Sequence, residues 1–417
     1  MKRDFDIVVW GATGFTGRLI AEYLARNASP DVRWALGGRS REKLEGIARD
    51  LPSGRALRPE LVVADAANAE QMNALAARSR VVCSAVGPFA RYGMPLVLAC
   101  AENGTDYCDT TGEVHFMRRS IDAADARAKA TGARIVHAVG FDSIPSDLGV
   151  LLLAEHARKQ GATLGETELV LLASKGGASG GTVATMLAMV DEAKKDRALR
   201  KLMADPYALS PDRKNDLTND GYDALGIELN RSLGLFTAPF FMGPTNTRVV
   251  RRSNALTGFR YGRSFRYRER MVASKAAKGL PGALLASVGI GALLGLASIP
   301  VTRKLLEARV PKPGEGPSRQ ERETGFFKIA IFAALEGQKR PSLRAEVIGT
   351  NDPGYGETAK MVGESTLALL DDGARQPGFE AGVLTSATAL GMPLIERLRG
   401  AGMTFSAREM GEDGPGS

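Results

Sequence analysis

A chain of 417 residues exceeds what one ordinary core holds, so two or three domains are expected. Hydrophobic residues at 44% and charged residues at 24% exclude a disordered chain, and three cysteines without a CxxC pair (Cys83, Cys100 and Cys108) exclude a disulfide scaffold and point to a reducing compartment. The formal charge of +8 is local, because residues 248–278 alone hold ten Lys or Arg against one Glu.

The N-terminus runs into an apolar strand at residues 5–10, with no stretch long enough for an export signal before Gly11, so a cytoplasmic protein is expected. A helix follows from about Gly14, with Leu19, Ile20, Tyr23 and Leu24 at helical spacing. A second strand at 32–36 leads to Ser40, an N-cap for a helix carrying Leu44, Ile47 and Leu51. Strands at 61–64 and 80–86 come next, then helices around 94–103 and 114–131 and strands at 107–108 and 134–139. Repeated β-α units of this length predict a parallel sheet with right-handed crossovers, an α/β fold of Rossmann type. His115, His137 and His156 show no metal-ligand spacing, so no metal is expected.

The candidate chemistry sits at the strand ends. Gly11-Ala12-Thr13-Gly14-Phe15-Thr16-Gly17 follows the first strand and opens the first helix, the context in which a glycine-rich turn brings backbone amides and a helix N-terminus to a pyrophosphate. An NAD site usually ends its second strand with a carboxylate for the ribose 2′-hydroxyl. Here that place reads Gly37-Gly38-Arg39-Ser40, with Lys43 one turn on, which suits a 2′-phosphate and favours NADP. Asp65 is expected near the adenine, and the loop through Val86, Gly87 and Pro88 is expected to pass over the cofactor toward the nicotinamide.

The second half reads as mixed α+β. A helix to about Lys159 precedes a strand at 169–173 and a glycine-rich passage containing Gly180, Gly181 and Thr182. Further strands are predicted at 236–242, 247–251, 258–268, 326–336 and 342–349, the last two forming a hairpin, and 383–399 reads as a closing helical segment.

GATGFTG, GGRS, SAVGPFARYG, DYCDTTGE, GFDSIPSDLG, the SGGT passage, NTRVVRRSNAL, PKPGEGPSR and GVLTSATALG together resemble the saccharopine dehydrogenase-like oxidoreductases, and within them the mycobacterial trans-acting enoyl reductases of polyketide-lipid synthesis. The resemblance runs nearly end to end. It implies a Rossmann domain (1–145), an inserted α+β substrate or dimerisation domain (146–375) and a C-terminal segment (376–417) returning to the first domain. It further implies hydride delivery from NADPH to the β-carbon of an α,β-unsaturated acyl thioester on a carrier protein, by a homodimer. Such chemistry needs a donor at the thioester carbonyl and a proton source near the α-carbon. Candidate donors are Tyr92, Thr110, Thr111 and Ser143, with Asp109 and Asp142 to orient them or carry protons. The amides of Gly180, Gly181 and Thr182 are candidates to hold an oxyanion or carboxylate.

Residues 279–302 carry no charge and are long enough to span a bilayer, although five glycines and two prolines interrupt them. Just before this run, Phe259, Tyr261, Phe265 and Tyr267 alternate with Arg260, Arg266, Arg268 and Arg270. Two readings stand: a re-entrant or surface-inserting hairpin at the inner face of the membrane, or a buried helix at a dimer or domain interface. Nucleic acid is not expected as a partner, since no recognised binding fold accompanies the basic residues. Two rival functions remain open. One is an opine-type dehydrogenase gripping carboxylates through Arg248, Arg251 and Arg252; the other is a non-catalytic lipid-surface protein that retains the nucleotide fold.

Overall fold

The computed structural model describes residues 3–176, 196–212, 223, 226–273 and 316–411. Six short apolar strands of the first third lie parallel: β1 (Phe5–Trp10), β2 (Trp34–Gly38), β3 (Glu60–Val63), β4 (Ser79–Ser84), β5 (Asp106–Asp109) and β6 (Arg134–Val136). Their order is β3-β2-β1-β4-β5-β6, so the winding direction reverses between β1 and β4, where α/β sheets place their ligands. The connecting helices are α1 (Phe15–Asn27), α2 (Arg41–Asp50), α3 (Ala69–Ala77), α4 (Phe89–Tyr92), α5 (Met94–Asn103) and α6 (Val114–Thr131). β1 and β2 are buried over nearly all their residues, which explains their unbroken apolar runs.

Helix α7 (Ile144–Lys159) leaves the last loop of this sheet and packs on a second sheet. A Cβ at Gly149 would lie 2.5 Å from Ile331 Cδ1, so glycine lets α7 settle directly on a strand. The second sheet holds β7 (Leu164–Lys175), β8 (Glu228–Asn230), β9 (Leu235–Pro239), β10 (Arg266–Val272), β11 (Phe326–Leu335) and β12 (Leu343–Gly349). Helices α8 (Arg197–Ala204), α9 (Gly243–Leu256) and α10 (Arg319–Glu323) connect or flank these strands. A π-helical turn (Pro353–Glu357) then leads into α11 (Thr358–Leu370). α11 returns to the parallel sheet beside α1, where Gly363 makes room for the Tyr23 ring and the Tyr23 hydroxyl donates to Glu364 at 2.6 Å.

The chain then visits both sheets once more. β13 (Gly382–Leu384) adds to the parallel sheet beside β6; α12 (Ser386–Ala389) and α13 (Gly391–Gly400) follow, and β14 (Thr404–Glu409) pairs with β12 in the second sheet.

Three local expectations are corrected. Residues 247–251 are not a strand but the middle of α9, whose first turn carries Pro244. The Val249-Val250 pair reads as β-branched strand, yet burial on a helix decides. The strand expected at 258–268 begins only at Arg266, because Gly258, Phe259 and Gly262 all take positive φ. The closing segment at 383–399 is not helical throughout, since it opens in β13 and is followed by a strand. The alternation after Phe265 holds for Tyr267 inside and Arg266 and Arg268 outside, but Arg270 is fully buried and donates to Thr237. Among the described residues no helix is long and apolar enough to cross a membrane, and the apolar run 279–302 lies outside them.

Candidate active site

The glycine-rich turn is built as a cradle. Gly11 takes φ +88°, and a Cβ on it would lie 2.6 Å from Val86 Cγ2, which brings the loops after β1 and β4 into contact at the switch point. A Cβ on Gly17 would lie 2.2 Å from the Gly11 carbonyl, so α1 can start this close to the turn only with glycine there. Gly14 is the N-cap residue of α1, no side chain caps the helix, and its first turn carries no acidic group. Its first amides and the positive end of its dipole therefore face outward at the half-buried Thr13–Thr16 stretch, as a diphosphate requires.

At the end of β2, Arg39 is exposed and makes no ion pair with any described residue; Lys43 is exposed one turn away. The Ser40 side chain caps α2 by accepting from the Lys43 amide at 3.4 Å, which keeps its own hydroxyl proton available. Arg39, Ser40 and Lys43 thus present two cations and a hydroxyl where an NAD site has a carboxylate. The residues fit a 2′-phosphate. Asp65 lies exposed after β3, and its carboxylate accepts from the Ala67 amide at 3.0 Å. The Phe15 ring packs edge-on against Tyr355 at 4.7 Å.

Beyond the cofactor cradle, the exposed Gly87 and Pro88 lead into α4, which carries Tyr92. The Tyr92 ring is half-buried with the Arg91 guanidinium 5.0 Å above it, and its hydroxyl has no hydrogen-bond partner among the described residues. α4 is held from the next loop. The buried Glu113 carboxylate accepts from the amides of Phe89 and Ala90 at 2.9 and 2.7 Å.

Asp109, at the end of β5, is fully buried and receives four hydrogen bonds. Its Oδ2 accepts from the Tyr107 hydroxyl at 2.9 Å and meets His137 Nδ1 at 2.7 Å, and its Oδ1 accepts from the Thr111 and Ala138 amides at 3.1 Å each. His137 Nε2 is 2.8 Å from Ser120 Oγ. This hub ties β5 to β6 and fixes the Thr110–Gly112 loop. Thr110 itself is half-buried, without a partner among the described residues, while Thr111 Oγ1 accepts from the Glu113 amide at 3.1 Å.

Asp142 stands on the loop after β6, half-buried, over Gly140 and close to Gly112. No cation among the described residues pairs with it; burial first, then the nearby Asp109 charge, push its carboxyl up to about 7. Met242 and Thr245 close the same space from the start of α9, with the Thr245 hydroxyl donating to the Gly112 carbonyl at 2.9 Å. Ser143 is fully buried and donates to Asn246 Oδ1 at 3.0 Å. Asn246 in turn donates to Glu269 at 2.9 Å, and the Tyr267 hydroxyl donates to the other Glu269 oxygen at 2.7 Å. Burial raises the Glu269 carboxyl to about 7.

The structure therefore brings Tyr92, Thr110, Asp142 and the cofactor turn to the carboxyl edge of one sheet, with Asp109 and Ser143 bonded behind them. Gly180, Gly181 and Thr182 lie outside the described residues. Arg248, Arg251 and Arg252 are buried on α9 and are taken up inside the protein. Arg248 pairs with the Asp223 carboxylate at 2.7 Å and donates to the Met203 carbonyl, Arg251 donates to the Pro206 and Tyr267 carbonyls with Asp223 at 3.8 Å, and Arg252 donates to the Leu209 and Val383 carbonyls. Glu113 and the Asn246–Glu269 pair escaped the sequence reading, since each acts across a long separation that no local spacing marks.

Residues 7–136 match the family model described as saccharopine dehydrogenase NADP binding domain, a span that contains every cofactor candidate from Gly11 to Pro88. A trans-acting enoyl reductase of Mycobacterium tuberculosis is 42% identical over 426 residues, covering 98% of this chain and 99% of its own. One from Mycobacterium ulcerans is 40% identical over 422 residues, with coverage of 98% and 99%. Apo saccharopine dehydrogenase (L-Glu forming) from Saccharomyces cerevisiae shares the fold at a TM-score of 0.54 and 12% identity, over 98% of this chain and all of that one. With a nucleotide cradle on the parallel sheet and relatives matched from end to end, the chain is an NADP-dependent oxidoreductase that belongs to the trans-acting enoyl reductase family.

Proposed function

We propose that this protein reduces the α,β-double bond of an acyl thioester presented by a carrier protein during lipid or polyketide synthesis. Its relatives are named for enoyl reduction in trans, and one observation in the site carries the reading further: Asp142 is a carboxyl held near neutrality beside Gly112, with no cation among the described residues paired to it. NADPH, when bound, supplies the hydride for the β-carbon. Negative charge then develops on the thioester oxygen, where a hydroxyl from Thr110 or Tyr92 donates a hydrogen bond. Asp142, protonated below about pH 7, gives its proton to the α-carbon and is recharged from water. Asp109 acts as a positioning residue that fixes the loop carrying Thr110, and Ser143 fixes the start of α7.

In this reading Gly180, Gly181 and Thr182 contact the substrate, and the apolar run 279–302 with its basic neighbours brings a homodimer to the inner membrane surface to collect long acyl chains. The opine-type alternative loses its support, since Arg248 and Arg251 are taken up by Asp223 and backbone carbonyls, and Arg252 by backbone carbonyls, inside the protein.

The test is NADPH oxidation with an enoyl thioester, free and on a carrier protein, with the product examined for a gain of two hydrogens. Turnover with a keto diacid and an amine, and none with any enoyl thioester, would overturn the proposal.

A further inference from the structure

The first turn of α1 is covered by a strap from the second half of the chain. Gly316 lies against Phe15, where a Cβ would come within 2.4 Å of Phe15 Cε1. Six residues on, the Arg322 guanidinium sits over the Phe15 ring, 5.4 Å from its centroid. Phe15 is the first residue of α1, so this cation lies over a side chain of the first turn of the helix that opens the cofactor cradle.

Arg322 is held in place from two sides. Its Nη1 donates to the Pro317 carbonyl at 2.8 Å, and its own carbonyl accepts from the Asp352 amide at 2.9 Å. It makes no ion pair with any described residue, and its remaining guanidinium donors have no acceptor among them. A half-buried guanidinium that is fixed, forked and unpaired next to an uncapped helix start is suited to an anion carrying two oxygens on one face. Asp352 does not take that place, since its carboxylate is occupied by the Tyr355 and Gly356 amides at 2.9 Å each.

We propose that Arg322 is a cofactor-binding residue that would pair with the diphosphate held at the start of α1. The nucleotide is then held by both halves of the chain. Arg39 reads the 2′-phosphate that distinguishes NADPH from NADH; Arg322 reads the diphosphate that both share.

Fluorescence titration with NADPH and with NADH, on the full chain and on Arg322→Gln, tests the assignment. Both nucleotides should weaken by the same factor, about tenfold, while adenosine 2′,5′-bisphosphate, which lacks the diphosphate, should bind nearly as before. Unchanged affinity for both nucleotides with a lowered melting temperature would overturn it and leave Arg322 a packing residue of the strap. Weakening confined to NADPH would also overturn it, because the 2′-phosphate would then be the group read. If Arg322→Gln fails to fold, Arg322→Lys keeps the charge and the stem but loses the fork. Both nucleotides should then weaken equally by about threefold, and unchanged binding would overturn the proposal.

Discussion

Glu113 closes the start of α4 by accepting from the Phe89 amide at 2.9 Å, and with its second oxygen from the Ala90 amide at 2.7 Å. A residue of the loop after β5 thereby sets the helix that begins after β4, and this four-residue helix carries Tyr92. Two neighbouring loops of the site are fixed by one buried carboxylate.

Glu113→Ala is expected to destabilise the protein by about 2–4 kcal/mol, since a buried amide left without an acceptor costs about 1–3 and the part-buried Ala90 amide less than the buried Phe89 one. Glu113→Gln keeps one acceptor oxygen and should fall in between. Urea unfolding of the three proteins measures this. A change of about 0.5 kcal/mol or less, the size of an ordinary surface substitution, would show that water satisfies both amides and that Glu113 does not hold α4.

Arg39→Asp should separate the two nucleotides. Replacing the exposed cation by a carboxylate removes the partner of the 2′-phosphate and adds repulsion, so NADPH should weaken at least tenfold, about 1.4 kcal/mol or more. NADH should be unaffected or improved, because a carboxylate there accepts from the free ribose hydroxyl. Equal weakening of both would place the 2′-phosphate elsewhere, with Arg39 acting only on the shape of the β2–α2 turn.

The parts of this molecule that local pattern controls were legible in the sequence. Short apolar strands ending in glycine, and a GxxGxxG turn opening a helix, depend on residues close together in the chain, and β1, β2, α1 and the cradle sit where such patterns put them. The nearest errors arose where burial overrode propensity. Val249-Val250 looks like strand but lies on a helix whose arginines are inside. Phe259 interrupts an alternating run because it takes φ 63° directly after Gly258. What no spacing could show is pairing at long range. Asp109 was legible as a carboxylate at a strand end, but its bond to His137, 28 residues on, exists only once β5 and β6 lie side by side.

Two fully buried carboxyls should make stability fall as pH rises. Asp147 accepts from Ser253, Ser386 and the Ala387 amide, yet burial still lifts it to about 6; Glu269 is lifted to about 7. Unfolded, they titrate near 3.9 and 4.3. Between about pH 4 and 7 the native state therefore holds protons that the unfolded chain has released, so raising the pH favours unfolding, by up to about 1.4 kcal/mol per unit for each group. Stability should be highest near pH 4–5, decline to about pH 7 and level off above it. Asp142, also lifted to about 7, adds a third share, so Glu269→Gln should remove roughly a third of that slope. A stability profile that rises from pH 5 to 7 would contradict the burial of both carboxyls in their neutral form.

Asp142 offers the most direct reading of the chemistry. A proton donor with a carboxyl at about 7 is active in its protonated form, so turnover with saturating NADPH and an enoyl thioester should fall as pH rises through about 7. Asp142→Asn keeps the size and removes the proton, and its kcat should drop by about 10²–10⁴ with the pH dependence near 7 abolished. NADPH affinity should stay unchanged, since Asp142 lies beyond the cradle on the loop after β6. Tyr92→Phe discriminates the alternative: if the proton comes from the phenol, this variant loses the rate while Asp142→Asn retains it together with the pH limb. Loss in both variants, with the limb near 7 missing only in Asp142→Asn, assigns the proton to the carboxyl and the hydrogen bond on the thioester oxygen to Tyr92.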